Sequence, residues 1–320
     1  MVSGGPMFLT PSERPSMLFI GVTTAQSSIH RIFPRWMTAL GRSEAALRGV
    51  DFRLHDDPAR YRAAVEFVKN DPLTLGALVT THKIDLCAAS RDVFDALDPL
   101  SASMGEISSI YKRRGRLHGR TVDPWSAGLA LAAFLPGDHW RRTGAEVLIL
   151  GAGGSAMALA WHLCQPDANG NRPSRIRVAN RSRPRLDHLR ALHASWTDAV
   201  PLSCHHVPEP ALADALVRDL PPGSLVVNAT GLGKDAPGSP LTDQAVFPEH
   251  GLVWEFNYRG HLVFLDQARR QQRARHLHLE DGWIYFLHGW TQVLSDVFDV
   301  QIPSRGPLFD ELSRLAREVR

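Results

Sequence analysis

The first chemistry legible in this chain is anion binding by a glycine-rich turn. Gly151-Ala152-Gly153-Gly154-Ser155-Ala156 closes the apolar run Glu146-Val147-Leu148-Ile149-Leu150, and a helical pattern (Met157, Ala158, Leu159, Ala160, Leu163) follows at once. That order predicts a strand, a turn and a helix whose N-terminal N–H groups point at an anion. Gly151 permits the tight turn, Gly153 lets the backbone approach a pyrophosphate, and Ala156 is small enough for close helix–strand packing. The context is that of a dinucleotide-binding Rossmann unit.

The next segment selects the dinucleotide. Arg175-Ile176-Arg177-Val178-Ala179 reads as a second strand, followed by Asn180-Arg181-Ser182. An NAD site offers an acid to the ribose 2′-hydroxyl at this point, whereas an arginine suits a 2′-phosphate. No acid occurs until Asp187, and Arg181 is joined by Arg183 and Arg185, so NADP(H) is the expected cofactor. The stretch from Gln165 to Pro173 reads as a loop insertion that lengthens the spacing from the glycine turn.

Other chemistries find little support. Cys87, Cys164 and Cys204 lie far apart, without the paired spacing of a zinc site or a redox dithiol, which fits a reduced, cytoplasmic setting. His205, His206, His276 and His278 show no third convergent ligand, so no metal is expected. A net charge of +3, with scattered basic residues, does not suggest a nucleic-acid partner. No apolar run approaches the ~20 residues of a membrane span. The expected partner is a small-molecule substrate, with the protein a monomer or homodimer.

The 320 residues, 44% of them apolar, suffice for two cores. Residues 1–16, rich in Gly and Pro, read as a flexible leader; Met17 to Val22 reads as a first strand. Helical spacing from Arg35 to Leu47, a strand at Phe52-Arg53-Leu54 and a helix from Ala59 to Lys69 are expected next. Leu75 to Thr80 reads as a buried strand, Ile84 to Leu97 as a helix, and Ile107–Tyr111 with Leu117–Gly119 as a hairpin. A helix from Ala127 to Phe134 leads to the glycine-turn unit, with later strands at Ser224–Asn228 and Gly251–Phe256. Helices over Gly282–Phe298 and Leu308–Val319 complete an α/β chain with mostly parallel sheets.

In this order the pieces resemble the shikimate dehydrogenase family over about residues 17 to 300. Val79-Thr80-Thr81-His82-Lys83 looks like the family's Val-Thr-x-Pro-His/Phe-Lys, one residue short and without the proline, which implies Lys83 as catalytic lysine. Thr121-Val122-Asp123 looks like Asn-Thr-Asp, implying Asp123 as its carboxylate partner. Gly151 to Ala156, Asn180-Arg181-Ser182 with Arg185, Asn228-Ala229-Thr230 and Gly282 resemble the segments that hold the cofactor. Glu255-Phe256-Asn257-Tyr258 resembles the segment carrying a tyrosine at the substrate–nicotinamide junction.

The departures fall on the substrate side. The family's Ser-x-Ser-Pro-x-x-His-Asn becomes Gln26-Ser27-Ser28-Ile29-His30-Arg31-Ile32-Phe33, and its Gly-Ala-Val-Asn-Thr becomes Gly105-Glu106-Ile107-Ser108-Ser109. His288, Gly289 or Gln292 stands near the position of the late glutamine. Ser27, Ser28, Thr80, Lys83, Ser108, Asp123, Tyr258, His288 and Gln292 are therefore the expected substrate contacts. Losing several hydrogen-bonding partners together argues against shikimate itself as preferred substrate.

The resemblance implies an N-terminal α/β substrate domain (17–125), a Rossmann NADP domain (126–280) and C-terminal helices (281–320) returning to the first domain, with Lys83 and Asp123 on loops facing an interdomain cleft. The implied activity is interconversion of a secondary alcohol and a ketone on a small shikimate-like or cyclitol-like ring. Two alternatives stand beside it: an NADP-binding redox sensor without turnover, and a dehydrogenase of another small polar substrate such as a folate carrier.

Overall fold

The structure, a computed structural model, describes residues 9–165, 170–234 and 236–319. It divides into two units, Met1–Val122 with Gly289–Arg320, and Asp123–His288.

The first unit opens with β1 (Ser16–Gly21), α1 (Ile29–Ala39), β2 (Ala46–Asp51), α2 (Pro58–Asn70), β3 (Thr74–Val79) and α3 (Lys83–Ser90). β4 (Ala96–Leu97), α4 (Pro99–Met104), β5 (Ser109–Arg113) and β6 (Arg116–Arg120) follow. The sheet order is β2-β1-β3-β5-β6-β4. β1 lies parallel to both β2 and β3 and is buried along its whole length, which explains why it reads as a continuous apolar run. β5 and β6 form the expected hairpin, turning at Arg114 and Gly115, both with positive φ. Two helices start on the same device: Asp57 before Pro58 and Asp98 before Pro99 each accept a backbone N–H of the first turn, and proline suits the first helical position.

Three local expectations are corrected here. The helix expected over Arg35–Leu47 starts earlier and stops at Ala39; Gly41, at φ +68°, lets Arg42 N–H return to the Met37 carbonyl, and the chain then enters β2. That strand ends at Asp51, just before the Phe52-Arg53-Leu54 segment expected to form it. The helix expected over Ile84–Leu97 ends at Ser90, whose hydroxyl donates back to the Leu86 carbonyl, and a 3₁₀ turn leads into β4. The leader is tied down from Leu9, which enters the core, while Arg48 donates to the Thr10 carbonyl and Ser12 Oγ. Residues 1–8 lie outside the described residues.

The second unit contains α5 (Asp123–Ala132), α6 (His139–Thr143), β7 (Val147–Leu150), α7 (Gly154–Cys164), β8 (Ile176–Asn180), α8 (Arg183–Ala194), β9 (Leu202–His206) and α9 (Pro210–Arg218). It continues through β10 (Leu225–Asn228), β11 (Leu252–Glu255), α10 (Val263–Arg275) and β12 (His278–Glu280). All pairs in the sheet β12-β11-β10-β7-β8-β9 are parallel, so strand order reverses direction on either side of β7. This is a doubly wound sheet, and its switch point lies between β7 and β10. Of the expected loop insertion, 166–169 lie outside the described residues. β9 and β12 went unpredicted; both are edge strands without a continuous apolar run.

α11 (Trp283–Phe298) runs across the division at His288, and α12 (Pro307–Arg317) packs on α1 in the first unit, where Trp36 Nε1 donates to the Leu312 carbonyl at 2.7 Å. Ser109 and Arg120 bind the Asp296 carboxylate, both at 2.9 Å, tying the end of α11 to β5 and β6. Among the described residues no helix is long and apolar enough to cross a membrane.

Candidate active site

In the first unit the carboxyl ends of β1 and β3 carry the candidate loops. Thr80 leaves β3 with its N–H and its hydroxyl both donating to the Ile20 carbonyl, at 2.9 and 3.2 Å. Thr81, at φ +55°, turns the chain sharply, and Lys83 then opens α3 half-buried. His82 between them is buried; its Nδ1 pairs with the Tyr61 hydroxyl at 3.0 Å, and burial lowers its basicity.

A second loop closes on the same place. The Ile107 N–H donates to the Lys83 carbonyl at 3.2 Å, and the Val79 N–H donates to the Ser108 carbonyl at 2.9 Å. Ser108 Oγ accepts the Val122 N–H at 2.9 Å, and the Thr121 hydroxyl donates to the Glu106 carbonyl at 2.8 Å. Thr80, Lys83, Glu106, Ser108 and Thr121 are thereby brought together. Ser27 and Ser28 sit after β1 at the start of α1; Ser27 Oγ accepts the Ile29 N–H at 3.4 Å, and Ser28 occupies the N-cap position without a side-chain cap bond. Gln292 lies half-buried on α11.

In the second unit the glycine turn stands at the sheet's switch point. Gly151 has φ +114°, its N–H donates to the Ala179 carbonyl at 2.8 Å, and a Cβ there would lie 2.7 Å from the Ala229 carbonyl oxygen. Only glycine fits. Gly153 differs: a Cβ there would meet nothing within 4 Å, so its backbone faces open space at the N-terminus of α7. Ala152 and Ala156 are buried beneath, and Ser155 is half-buried on the first turn. Asn180 ends β8 with its amide donating to the Ser182 carbonyl at 3.2 Å. The guanidinium groups of Arg181, Arg183 and Arg185 make no hydrogen bond or ion pair among the described residues. An open backbone cradle with unengaged arginines beside it fits a dinucleotide carrying an extra phosphate.

The loop after β10 is braced by a residue the sequence reading passed over. Glu255, fully buried at the end of β11, accepts from Asn228 Nδ2 at 2.6 Å, from Asn257 N at 2.8 Å and from Asn257 Nδ2 at 2.7 Å. Burial pushes its carboxyl up to about 7, against these bonds. Asn228 Oδ1 in turn accepts from the Thr230 N–H and hydroxyl, shaping the Asn228-Ala229-Thr230 corner. The available signal was an acid closing an otherwise apolar strand, where an unpaired charge is not tolerated.

Gly282 is required by packing, since a Cβ there would lie 2.0 Å from the Phe256 carbonyl oxygen. Tyr258 packs against Phe286 and Trp283, with ring centroids 4.3 and 5.6 Å away. Asp123, buried at the start of α5, accepts from the Tyr285 hydroxyl at 3.2 Å, a partner that sequence reasoning missed. His288 is buried, and desolvation lowers its pKa to about 4, so it is neutral near pH 7.

No family model matches the chain. Among curated proteins it is 33% identical to the shikimate dehydrogenase (NADP(+)) of Symbiobacterium thermophilum over 187 residues, 58% of this chain and 59% of that protein. It is 28% identical to the enzyme of the same name from Afipia carboxidovorans over 285 residues, 87% of this chain and 88% of that one. The chain is thus similar to shikimate dehydrogenases. The matched region spans under two thirds of the first two curated relatives.

Solved structures show the same fold. Shikimate 5-dehydrogenase of Thermus thermophilus, in complex with NADP(H) and shikimate, has a TM-score of 0.67 at 21% identity, covering 95% of this chain and 99% of that one. The ligand-free 5-ketofructose reductase of a Gluconobacter strain has a TM-score of 0.68 at 18% identity, covering 96% and 99%.

Proposed function

We propose that this protein is an NADP(H)-dependent oxidoreductase that interconverts a secondary alcohol and a ketone on a small, polyhydroxylated, shikimate-like or cyclitol-like ring. The observation that carries the reading is the open backbone face of Gly153 at the switch point, with Arg181 and Arg185 beside it unengaged among the described residues. Relatives named for NADP(+) support the cofactor assignment.

Gly151 to Ala156 would hold the pyrophosphate, Asn180, Arg181, Ser182 and Arg185 the adenosine end with its phosphate, and Asn228, Ala229, Thr230 and Gly282 the nicotinamide end. Bound NADPH supplies hydride. The chain must supply the proton and hold the carbonyl. Lys83 is the proton carrier: its ammonium stabilises negative charge developing on the substrate oxygen and delivers the proton to it. Asp123, held by Tyr285, is the orienting carboxylate and accepts from a neighbouring substrate hydroxyl. Ser27, Ser28, Thr80, Ser108, Tyr258, His288 and Gln292 complete the recognition set.

Serines at positions 27, 28 and 108 present short hydroxyls, which suits a ring richer in hydroxyls than in carboxylates. A fold shared with a 5-ketofructose reductase makes sugar ketones part of the same test. The test is NADP(H) turnover on shikimate, quinate, aminoshikimate, cyclitol ketones and 5-ketofructose, with Lys83→Ala as control. Turnover lost in Lys83→Ala is the expected result. Tight NADPH binding without turnover on any of them would transfer the reading to a redox-sensing protein.

A further inference from the structure

Glu106 is a carboxylic acid with no solvent exposure, in the loop whose next N–H is bonded to the Lys83 carbonyl. Gly105, at φ +65°, ends α4 and delivers Glu106 onto the first turn of α3, where the next N–H, that of Ile107, donates to the Lys83 carbonyl at 3.2 Å. Glu106 Oε1 lies 3.5 Å from Thr121 Oγ1, whose hydroxyl also donates to the Glu106 carbonyl. Cys87 stands one turn after Lys83 on the same face of α3, because residues four apart share a face. Burial pushes the Cys87 thiol up, and the negative charge of Glu106 adds to it. Glu106 therefore lies beside the turn of α3 that opens with Lys83.

A carboxylate removed from water is stabilised most by a cation beside it. The other cations nearby are committed or exposed: Arg91 reaches the Ala102 carbonyl from an exposed position, and Arg120 binds Asp296 at 2.9 Å. Lys83 is the only cation on α3. We propose that Glu106 is the ionic partner of Lys83 and a positioning residue that holds its ammonium in place. The reactive role of Lys83 rests on the function proposed above; the pairing does not. The remaining titratable neighbours are Asp85, Cys87 and Arg91 on or after α3, His82 before it, Tyr61 of α2 against His82, and Asp98, which accepts the Thr121 N–H.

The experiment needs neither substrate nor cofactor, so its failure is distinguishable from failure of the dehydrogenase reading. The full chain has four lysines, Lys69, Lys83, Lys112 and Lys234. Trace acetylation with acetic anhydride across pH, read by peptide mass spectrometry, gives a labelling midpoint for each. Glu106→Gln is expected to lower the Lys83 midpoint by about one pH unit or more, leaving Lys69 and Lys112 in place. An unchanged Lys83 midpoint overturns the proposal. Should Glu106→Gln fail to fold, melting of Lys83→Met is compared with Lys83→Met/Glu106→Leu between pH 5 and 8. The single variant is expected to melt progressively lower as pH rises and the double variant is not; identical pH dependence overturns the pairing.

Discussion

The hydroxyl of Tyr285 donates to Asp123 Oδ2 at 3.2 Å, although 162 residues separate the two in sequence. A hydrogen bond to a carboxylate fixes where its lone pairs point and which substrate hydroxyl it can accept. Tyr285→Phe is expected to reduce kcat/KM about tenfold, the scale of one charge-assisted bond. Asp123→Asn is expected to reduce it further. Steady-state kinetics on the substrate found by the panel checks both.

The two turn glycines respond differently to the same change. Gly151→Ala places a methyl against the Ala229 carbonyl at positive φ and is expected to destabilise the fold by about 1–3 kcal/mol. Gly153→Ala meets no protein atom, so stability is expected to stay within about 0.5 kcal/mol of the parent. Its NADPH affinity is expected to fall about tenfold or more, because the methyl occupies the face the phosphates approach. Urea denaturation and NADPH fluorescence titration separate the two effects.

Arg181→Ala and Arg185→Ala test the selection of the phosphorylated cofactor. Each guanidinium is without a partner among the described residues, so each loss is expected to weaken NADPH binding about tenfold or more while leaving NADH binding unchanged. Parallel titrations with the two nucleotides measure the ratio.

Glu255 and His288 give the second unit opposite pH dependences. Burial lifts Glu255 from its ordinary 4.5 to about 7, so the folded chain favours the protonated acid and loses stability as pH rises across that window. Burial lowers His288 from 6.5 to about 4, so stability is lost as pH falls through that range. Each effect is worth roughly 3 kcal/mol, and the two oppose each other between 4.5 and 6.5. Glu255→Gln removes one arm: its urea midpoint is expected to rise steeply with pH up to 6.5, where the parent is flatter.

α5 and α7 pack through a glycine. A Cβ on Gly128 would lie 2.1 Å from His162 Cε1, and His162 is itself desolvated enough to lower its pKa. Gly128→Ala is expected to cost about 1–3 kcal/mol, and adding His162→Ala should recover part of it. Thermal melts of the single and double variants give the coupling.

The sequence by itself determined what depends on neighbours along the chain. The strand, turn and helix around Gly151 are legible because one apolar run, two glycines and one small residue dictate them locally, and β1 and β3 are legible because a strand buried on both faces must be apolar throughout. The helix over Arg35–Leu47 was misplaced because its end depends on Gly41 adopting positive φ, which apolar spacing does not encode. Edge strands β9 and β12 were illegible for the converse reason, since they carry mixed residues and exist only by pairing with β8 and β11. Only the tertiary structure decided which polar groups meet. Glu255 under Asn228, Tyr285 on Asp123 and Glu106 in the loop bonded to Lys83 are all brought together by segments distant in sequence. Burial then sets the charge of Glu255 and His288, because a carboxyl or imidazole removed from water takes its protonation state from whichever partners the fold supplies.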